Sequence, residues 1–376
     1  MIEFVKQKRF LIAILLCLLS ILLVNAQGKL KAGFDRDEYI DLIKIAYQHM
    51  DTAKNIPPPP VGYHLLFRSQ NVGLMNRWDF WLRDDSVGII SLRATVPKTE
   101  SWLENFYSPM VSATGSICLN DSTTFKYKFA SDPRAAVHLG WTLGIGYMSP
   151  SIIKIINEYY AKGVKEYVIM GHSQGGALAF LLRSYLGYLD DSIIPKDIRF
   201  KTYCSAPPKP GNMFYAYDFD YLNRGSWGLR VVNMIDWVPE TPFSVQTLID
   251  MNKPNAFTDP KAGLKKQKFY VRWYFHYVFN RLNRGNQKVL DNYMKYFGND
   301  LYKRIRKTLP EYKQPPYIES YNYVTAGTPI ILRPDDSYYK VFNSNSVFIN
   351  HSLEPYLFLA KLYLSEDQVV KEISYH

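Results

Sequence analysis

Cysteine is scarce in this chain. Three occur in 376 residues, and Cys17 lies in an apolar stretch at the N-terminus. Cys118 and Cys204 remain, too few for a disulfide framework. Cys204 sits in an apolar strand-like run and reads as a buried thiol, with one bridge to Cys118 left open. No CxxC, HExxH or comparable ligand spacing occurs, so neither a metal nor a cofactor is expected. Low-complexity tracts and internal repeats are also missing, and a hydrophobic content of 47% marks a globular chain.

No apolar run is long enough for a membrane span. The N-terminal run, Phe10 to Val24, has 15 residues, and a bilayer needs about 20. Lys6, Lys8 and Arg9 precede it and Val24-Asn25-Ala26 follows, so residues 1–26 read as a signal peptide cleaved before Gln27. Leu16 before Cys17 is not the small residue a lipoprotein site requires. Export is expected, with the protein secreted or periplasmic. Acidic residues are sparse in one place only. Residues 261–313 carry 14 Lys or Arg against Asp291, Asp300 and Glu311. That segment's net +11 equals the net charge of the whole chain, so the rest is neutral. A basic segment on a neutral body, without a nucleic-acid motif, makes nucleic acid an unexpected partner.

What is present is an alternation of apolar runs and helical patterns. Asp35–Met50 has helical spacing, and Pro57-Pro58-Pro59-Pro60 follows it as a stiff connector. Strands are expected at Tyr63–Arg68, Trp78–Leu82 and Val87–Leu92, the last continuously apolar and so buried on both faces. A helix from Ser149 to Tyr160, a strand over 166–170, a helix to about Tyr188, and strands at Phe200–Cys204 and Leu229–Met234 complete a βαβ series. Tyr323–Val324 with Ile330–Leu332 reads as a terminal hairpin, and Ser352–Tyr363 as a last helix. The expected fold is α/β: a mostly parallel central sheet with helices on both faces, over residues 27–376, with a helical insert at about 261–313.

Gly171-His172-Ser173-Gln174-Gly175 joins the 166–170 strand to the next helix. G-x-S-x-G between strand and helix is a nucleophile elbow, a turn so tight that bulky Cβ atoms two residues either side of the serine would collide. A serine hydroxyl needs an adjacent base, and the base needs a carboxylate. Asp236 follows the end of the 229–234 run; Asp218 and Asp220 are rivals crowded by Tyr and Phe with no clean strand before them. Only His276, His351 and His376 lie downstream of that acid. His351 stands at a loop-to-helix junction that can carry an imidazole over the sheet end, which favours it over the basic-segment His276 and the terminal His376. His172 and His138 read as structural. The expected catalytic set is Ser173, Asp236 and His351. An oxyanion site is expected from the Gln174 amide and from Thr95, by its amide and hydroxyl, after the strand that ends near Arg93.

Seven blocks in order resemble the class 3, or fungal-type, lipases: Ile89–Thr95, Ser101–Asn105, Val137–Trp141, Gly171–Ala179, Pro208–Asn212, Arg230–Pro239 and His351–Tyr356. The resemblance spans roughly Asp35 to Leu359. It implies an α/β-hydrolase-type fold, a Ser173–Asp236–His351 triad and hydrolysis of acyl-lipid esters. A phospholipase or acyl transferase using the same triad, or a non-catalytic binding module on the same fold, are the alternatives. Two departures stand out. Ala94 replaces the glycine of the R-G-T block, and a long basic insert separates Asp236 from His351.

The segment Phe269–Phe279 combines Phe, Tyr and Trp with flanking Lys and Arg. That composition suits contact with a membrane or lipid interface, and equally a helical cap packed on the core. Residues 96–120, with Trp102, Leu103, Phe106 and Tyr107, read as a lid over the site or a fixed helix packed on the body.

Overall fold

The computed structural model describes residues 28–50, 56–255 and 267–363. The leader reading over 1–26, the residue His376 and the first six positions of the basic insert fall outside them. Seven strands form the central sheet. In spatial order they are β1 (Tyr63–Arg68), β2 (Trp78–Arg83), β3 (Val87–Leu92), β8 (Glu166–His172), β9 (Arg199–Ser205), β10 (Gly228–Asn233) and β11 (Thr328–Leu332). β1, β2 and β3 are antiparallel neighbours; every pairing from β3 to β11 is parallel. The sheet is thus mostly parallel, as the βαβ spacing requires.

Helices cover both faces. α1 (Arg36–Tyr47) and α9 (Leu353–Leu362) pack on one; α3 (Leu139–Ala161) and α4 (Gln174–Tyr188) pack on the other. Residue alternation along the central strands sorts the side chains between them. Val87, Ile89, Val168 and Met170 join the α1/α9 layer, while Ile90, Leu92, Tyr167 and Ile169 join the α3/α4 layer. All six positions of β3 are buried, which is why its sequence shows no polar alternation.

Three expectations need correction. The C-terminal strand is no hairpin arm. β11 pairs in parallel with β10, Val231 opposite Ile330, whereas Val324 makes one isolated bridge to Gly211. The helix expected from Ser149 begins ten residues earlier, at Leu139, and runs through Pro150. Its first ten residues are almost wholly buried, and this packing overrides the start signal that a proline gives. Of residues 96–120, expected as a lid or a fixed helix, only α2 (Thr99–Phe106) is helical, because β4 (Met110–Ser112) and β5 (Thr114–Asn120) follow at once. β4 pairs with β7 (Ala136–His138), and β5 with β6 (Thr123–Lys128). Tyr107 is fully buried beside Tyr312 and Tyr317, so it covers no site.

Cys118 and Cys204 are both free thiols. Burial pushes the Cys204 thiol well above its ordinary range, which makes it inert. The described part of the basic insert is helical: α6 (Phe269–Tyr293), a π-helical turn over Met294–Asp300, and α7 (Leu301–Thr308). α5 (Met213–Leu222) lies between β9 and β10, and α8 (Asp336–Val341) follows β11.

Candidate active site

β8 runs directly into the turn that carries Ser173, and α4 leaves it at Gln174. Ser173 has φ 58° and ψ −125°, a conformation in which a side chain is strained. Such a position costs of order 1–3 kcal/mol and persists only where its surroundings enforce it. Two glycines make the turn possible. A Cβ on Gly171 would sit 2.0 Å from the Gly175 carbonyl oxygen, and one on Gly175 would sit 2.3 Å from the Leu92 carbonyl oxygen. The Ser173 amide donates to the Ser205 carbonyl at 2.9 Å, which ties the turn to β9.

The three residues read from the sequence converge. His351 Nε2 lies 2.8 Å from Ser173 Oγ, and His351 Nδ1 lies 2.7 Å from Asp236 Oδ2. Asp236 stands in the turn after β10; its Oδ1 accepts from the Val238 amide at 3.0 Å. Its side chain is fully buried. In this array the Ser173 hydroxyl donates to Nε2 and the Nδ1–H donates to the carboxylate, the tautomer a general base requires. The rivals are elsewhere. Asp218 accepts from Ser131 and Tyr188, Asp220 accepts from the Gly327 amide, and His276 lies on the exposed α6.

Several supporting groups escaped the sequence reading. The Tyr356 hydroxyl donates to Asp236 Oδ2 at 2.8 Å and accepts from the Asn233 amide at 3.0 Å. Asn233 Nδ2 in turn donates to the Asn350 carbonyl next to His351. Tyr356 belongs to the His351–Tyr356 block, so its presence was visible but its role was not. His172 is structural, as expected, and its role is now specific. Its Nε2–H donates to the His351 carbonyl at 2.7 Å, which leaves Nδ1 to accept from Ser205 Oγ at 3.0 Å. Burial and the neighbouring His351 pull its pKa down to about 3, so it stays neutral. His138 caps α3, donates from Nε2 to the Asn105 carbonyl at 3.0 Å and stacks on Trp141.

Around the expected oxyanion donors the picture is more detailed than the sequence reading. Thr95 Oγ1 donates to Gln174 Oε1 at 2.9 Å and accepts from Asn105 Nδ2 at 2.8 Å. Its hydroxyl proton is therefore engaged, and the Thr95 amide is the group left for an oxyanion. Gln174 is the first residue of α4, where backbone N–H groups have no helical partner. Ala94 does not adopt positive φ, so the backbone there tolerates the Cβ that replaces the family's glycine.

Ser173 and His351 open into a cavity of about 920 Å³. Its wall is mainly apolar and includes Met50, Trp102, Phe106, Trp237, Phe243 and Phe348. Phe348 lies 6.1 Å from the His351 ring and meets Trp102 of α2 at 6.2 Å and Trp237 at 5.7 Å. α2 therefore stands at the mouth with Trp102 and Phe106 partly exposed. A nucleophilic hydroxyl, a base and a buried carboxylate beside an apolar cavity can perform acyl transfer to and from serine.

Residues 89–246 match the model of the class 3 lipase family, a range that includes Ser173 and Asp236 and ends before His351. A comparison with curated proteins gives no match. Among solved structures, the chain is similar to a triacylglycerol lipase from Penicillium expansum, at 15% identity over 55% of this chain and 71% of that one, with a TM-score of 0.38. It is similar to the Lip2 lipase of Yarrowia lipolytica at 17% identity, over 57% and 78% of the two chains, with a TM-score of 0.41. Lipase II from Rhizopus niveus gives 17% identity over 55% and 74%, with a TM-score of 0.40. The similarity to class 3 lipases therefore rests on residues 89–246 of this chain.

Proposed function

We propose that this protein is an exported serine hydrolase that cleaves the carboxylic esters of acyl lipids through Ser173, His351 and Asp236. The observation that carries the reading is His351, which bridges Ser173 and Asp236 at the edge of an apolar cavity of about 920 Å³. A cavity of that size and character suits an acyl chain. Ser173 Oγ attacks the ester carbonyl while His351 Nε2 takes its proton, and Asp236 stabilises the imidazolium. The Gln174 and Thr95 amides hold the oxyanion. His351 then returns the proton to the leaving alcohol, and water, activated by the same imidazole, releases the fatty acid from Ser173. The leader pattern in residues 1–26 supports export.

The same triad would serve a phospholipase or an acyl transferase, and α6 favours contact with a phospholipid surface. Of its 25 residues only Leu290 is buried. Phe269, Tyr270, Trp273, Tyr274, Phe275 and Tyr277 are all more than half exposed. Lys268, Arg272, Arg281 and Arg284 accompany them. At the other end of α6, Tyr293 stacks near Phe243, which lines the cavity. The helix thus rises from the rim of the site with rings and cations facing water, the composition of an anionic lipid interface.

One vesicle experiment tests both points. Vesicles of phosphatidylcholine, with or without phosphatidylglycerol and each carrying triacylglycerol, are incubated with the wild type and the triple variant Trp273→Ala/Tyr274→Ala/Phe275→Ala. Mass spectrometry of the products identifies which lipid is cleaved. Wild type is expected to release fatty acid and to bind anionic vesicles about 10–100-fold more tightly than the triple variant, the loss of some 1.4–2.8 kcal/mol of interfacial burial. Both proteins should hydrolyse a soluble short-chain ester equally. Equal vesicle binding by the two would remove the interfacial role of α6. Release of no fatty acid from any lipid would remove the lipid substrate.

A further inference from the structure

α2 turns two residues inward, Ser101 and Glu104, and both are polar. Glu104 is fully buried, in a position where an amphipathic helix would carry an apolar side chain. Its Oε2 accepts from Asn76 Nδ2 at 2.5 Å. Its Oε1 has no hydrogen-bond partner among the described residues. Oε1 faces Gly144 of α3, where an added Cβ would lie 2.6 Å from it. The Gln174 side chain is the other polar group that bears on it.

Gln174 is the hub of the surrounding network. Its Oε1 accepts from Thr95 Oγ1 at 2.9 Å, Ser101 Oγ at 3.3 Å and Asn105 Nδ2 at 3.3 Å. With Gln174 Oε1 so occupied, its amide nitrogen is the end that can approach the unpartnered Glu104 Oε1. Asn105 Oδ1 accepts from Trp141 Nε1 at 3.0 Å, which fixes the next residue of α2 to α3. The two residues that present backbone N–H groups to an oxyanion, Gln174 and Thr95, are therefore linked through one side-chain amide, and Glu104 with Asn76 stands behind that amide.

We propose that Glu104 is a positioning residue for the oxyanion site: anchored by Asn76, it orients the Gln174 side chain and through it the Thr95 loop. It touches no reacting atom and acts only through Gln174. Burial pushes its pKa up to about 8 against the opposing amides of Asn76 and Gln174, neither of which titrates. Glu104 is thus mainly neutral at pH 7. Above about pH 8 it becomes a buried negative charge, held by the Asn76 amide, behind the site where the oxyanion forms, and it opposes that charge. The turnover number should fall on that alkaline limb.

This inference rests on the ester-hydrolase reading, and the test separates the two. The wild type, Glu104→Gln and Glu104→Leu are compared by hydrolysis of a soluble short-chain ester and by the rate of phosphonylation with a fluorophosphonate, from pH 6 to pH 10. Glu104→Leu is expected to lose at least about tenfold in kcat and in phosphonylation rate, with KM within about twofold. Glu104→Gln, the permanent mimic of the neutral acid, should keep kcat within about threefold at pH 7 and lack the alkaline fall of the wild type. If Glu104→Leu does not fold, the Glu104→Gln profile decides alone. A Glu104→Leu enzyme within twofold of wild type, or the same alkaline fall in Glu104→Gln, overturns the positioning role. A wild type that takes up no phosphonate overturns the hydrolase reading itself.

Discussion

Asp236→Asn is expected to lower kcat about ten-thousandfold in a protein that remains folded. Asp236 Oδ1 accepts from the Val238 amide, while Oδ2 accepts from His351 Nδ1–H and from the Tyr356 hydroxyl. An asparagine can satisfy only one side. If its oxygen faces Val238, its NH2 group faces His351 and forces Nδ1 to be an acceptor. The ring proton then moves to Nε2, and the nitrogen that should take the Ser173 proton already holds one. The Tyr356 hydroxyl, which donates to Oδ2 in the wild type, would also have to turn its proton away from the NH2 group. If the amide flips, two N–H donors meet at Val238. Either arrangement leaves a buried polar group unsatisfied, so a loss of about 1–3 kcal/mol in stability accompanies the loss of rate. Steady-state kinetics on a soluble ester, with thermal melting of the same preparation, reads both. A kcat within tenfold of wild type would show that Asp236 does not set the tautomer of His351.

Gly171→Ala is expected to abolish the elbow. The added Cβ would stand 2.0 Å from the oxygen and 2.1 Å from the carbon of the Gly175 carbonyl. Both are backbone atoms, so no rotamer change relieves the clash, and the turn between β8 and α4 must open. Overpacking in a core costs about 1–3 kcal/mol where side chains can yield. Here it should reach the upper end or exceed it, with activity down more than about a hundredfold through the displaced Ser173. Gly285→Ala is the control. No atom lies within 4 Å of a Cβ there, and the residue sits inside α6. Removing a helical glycine should stabilise by up to about 1 kcal/mol. Urea unfolding with parallel activity measurements distinguishes the two substitutions. A Gly171→Ala protein as stable and active as Gly285→Ala would mean that the turn is not as tight as its geometry implies.

What could be read from the sequence followed from how local each signal is. β3 and the elbow were legible because burial on both faces leaves an unbroken apolar run and a tight turn leaves glycines at fixed spacing. Ser173, Asp236 and His351 were found by position, since each stands just beyond a strand end or at a loop-to-helix junction. Tertiary contact decided the rest. Ile330–Leu332 is a short apolar run whether its partner is Tyr323–Val324 or β10, and only the sheet distinguishes them. The start of α3 was hidden because Leu139–Met148 is buried nearly all round, which erases helical periodicity. Tyr107 resembled the exposed Trp102 and Phe106 in type, yet the chain turns into β4 and carries it inward. Glu104 looked like one more surface acid on an amphipathic helix. Its partners, Asn76 and Gln174, lie 28 residues before it and 70 after it, beyond any local pattern.

The central claim is that Ser173 is the nucleophile and His351 its base. Mass mapping after treatment with a fluorophosphonate tests it most directly. The account predicts a single phosphonyl adduct on the peptide that carries Ser173 in the wild type. It predicts no adduct in Ser173→Ala, and labelling slowed at least about a thousandfold in His351→Ala, as expected for a nucleophile without its base. An adduct on any other residue, or undiminished labelling without His351, would contradict it.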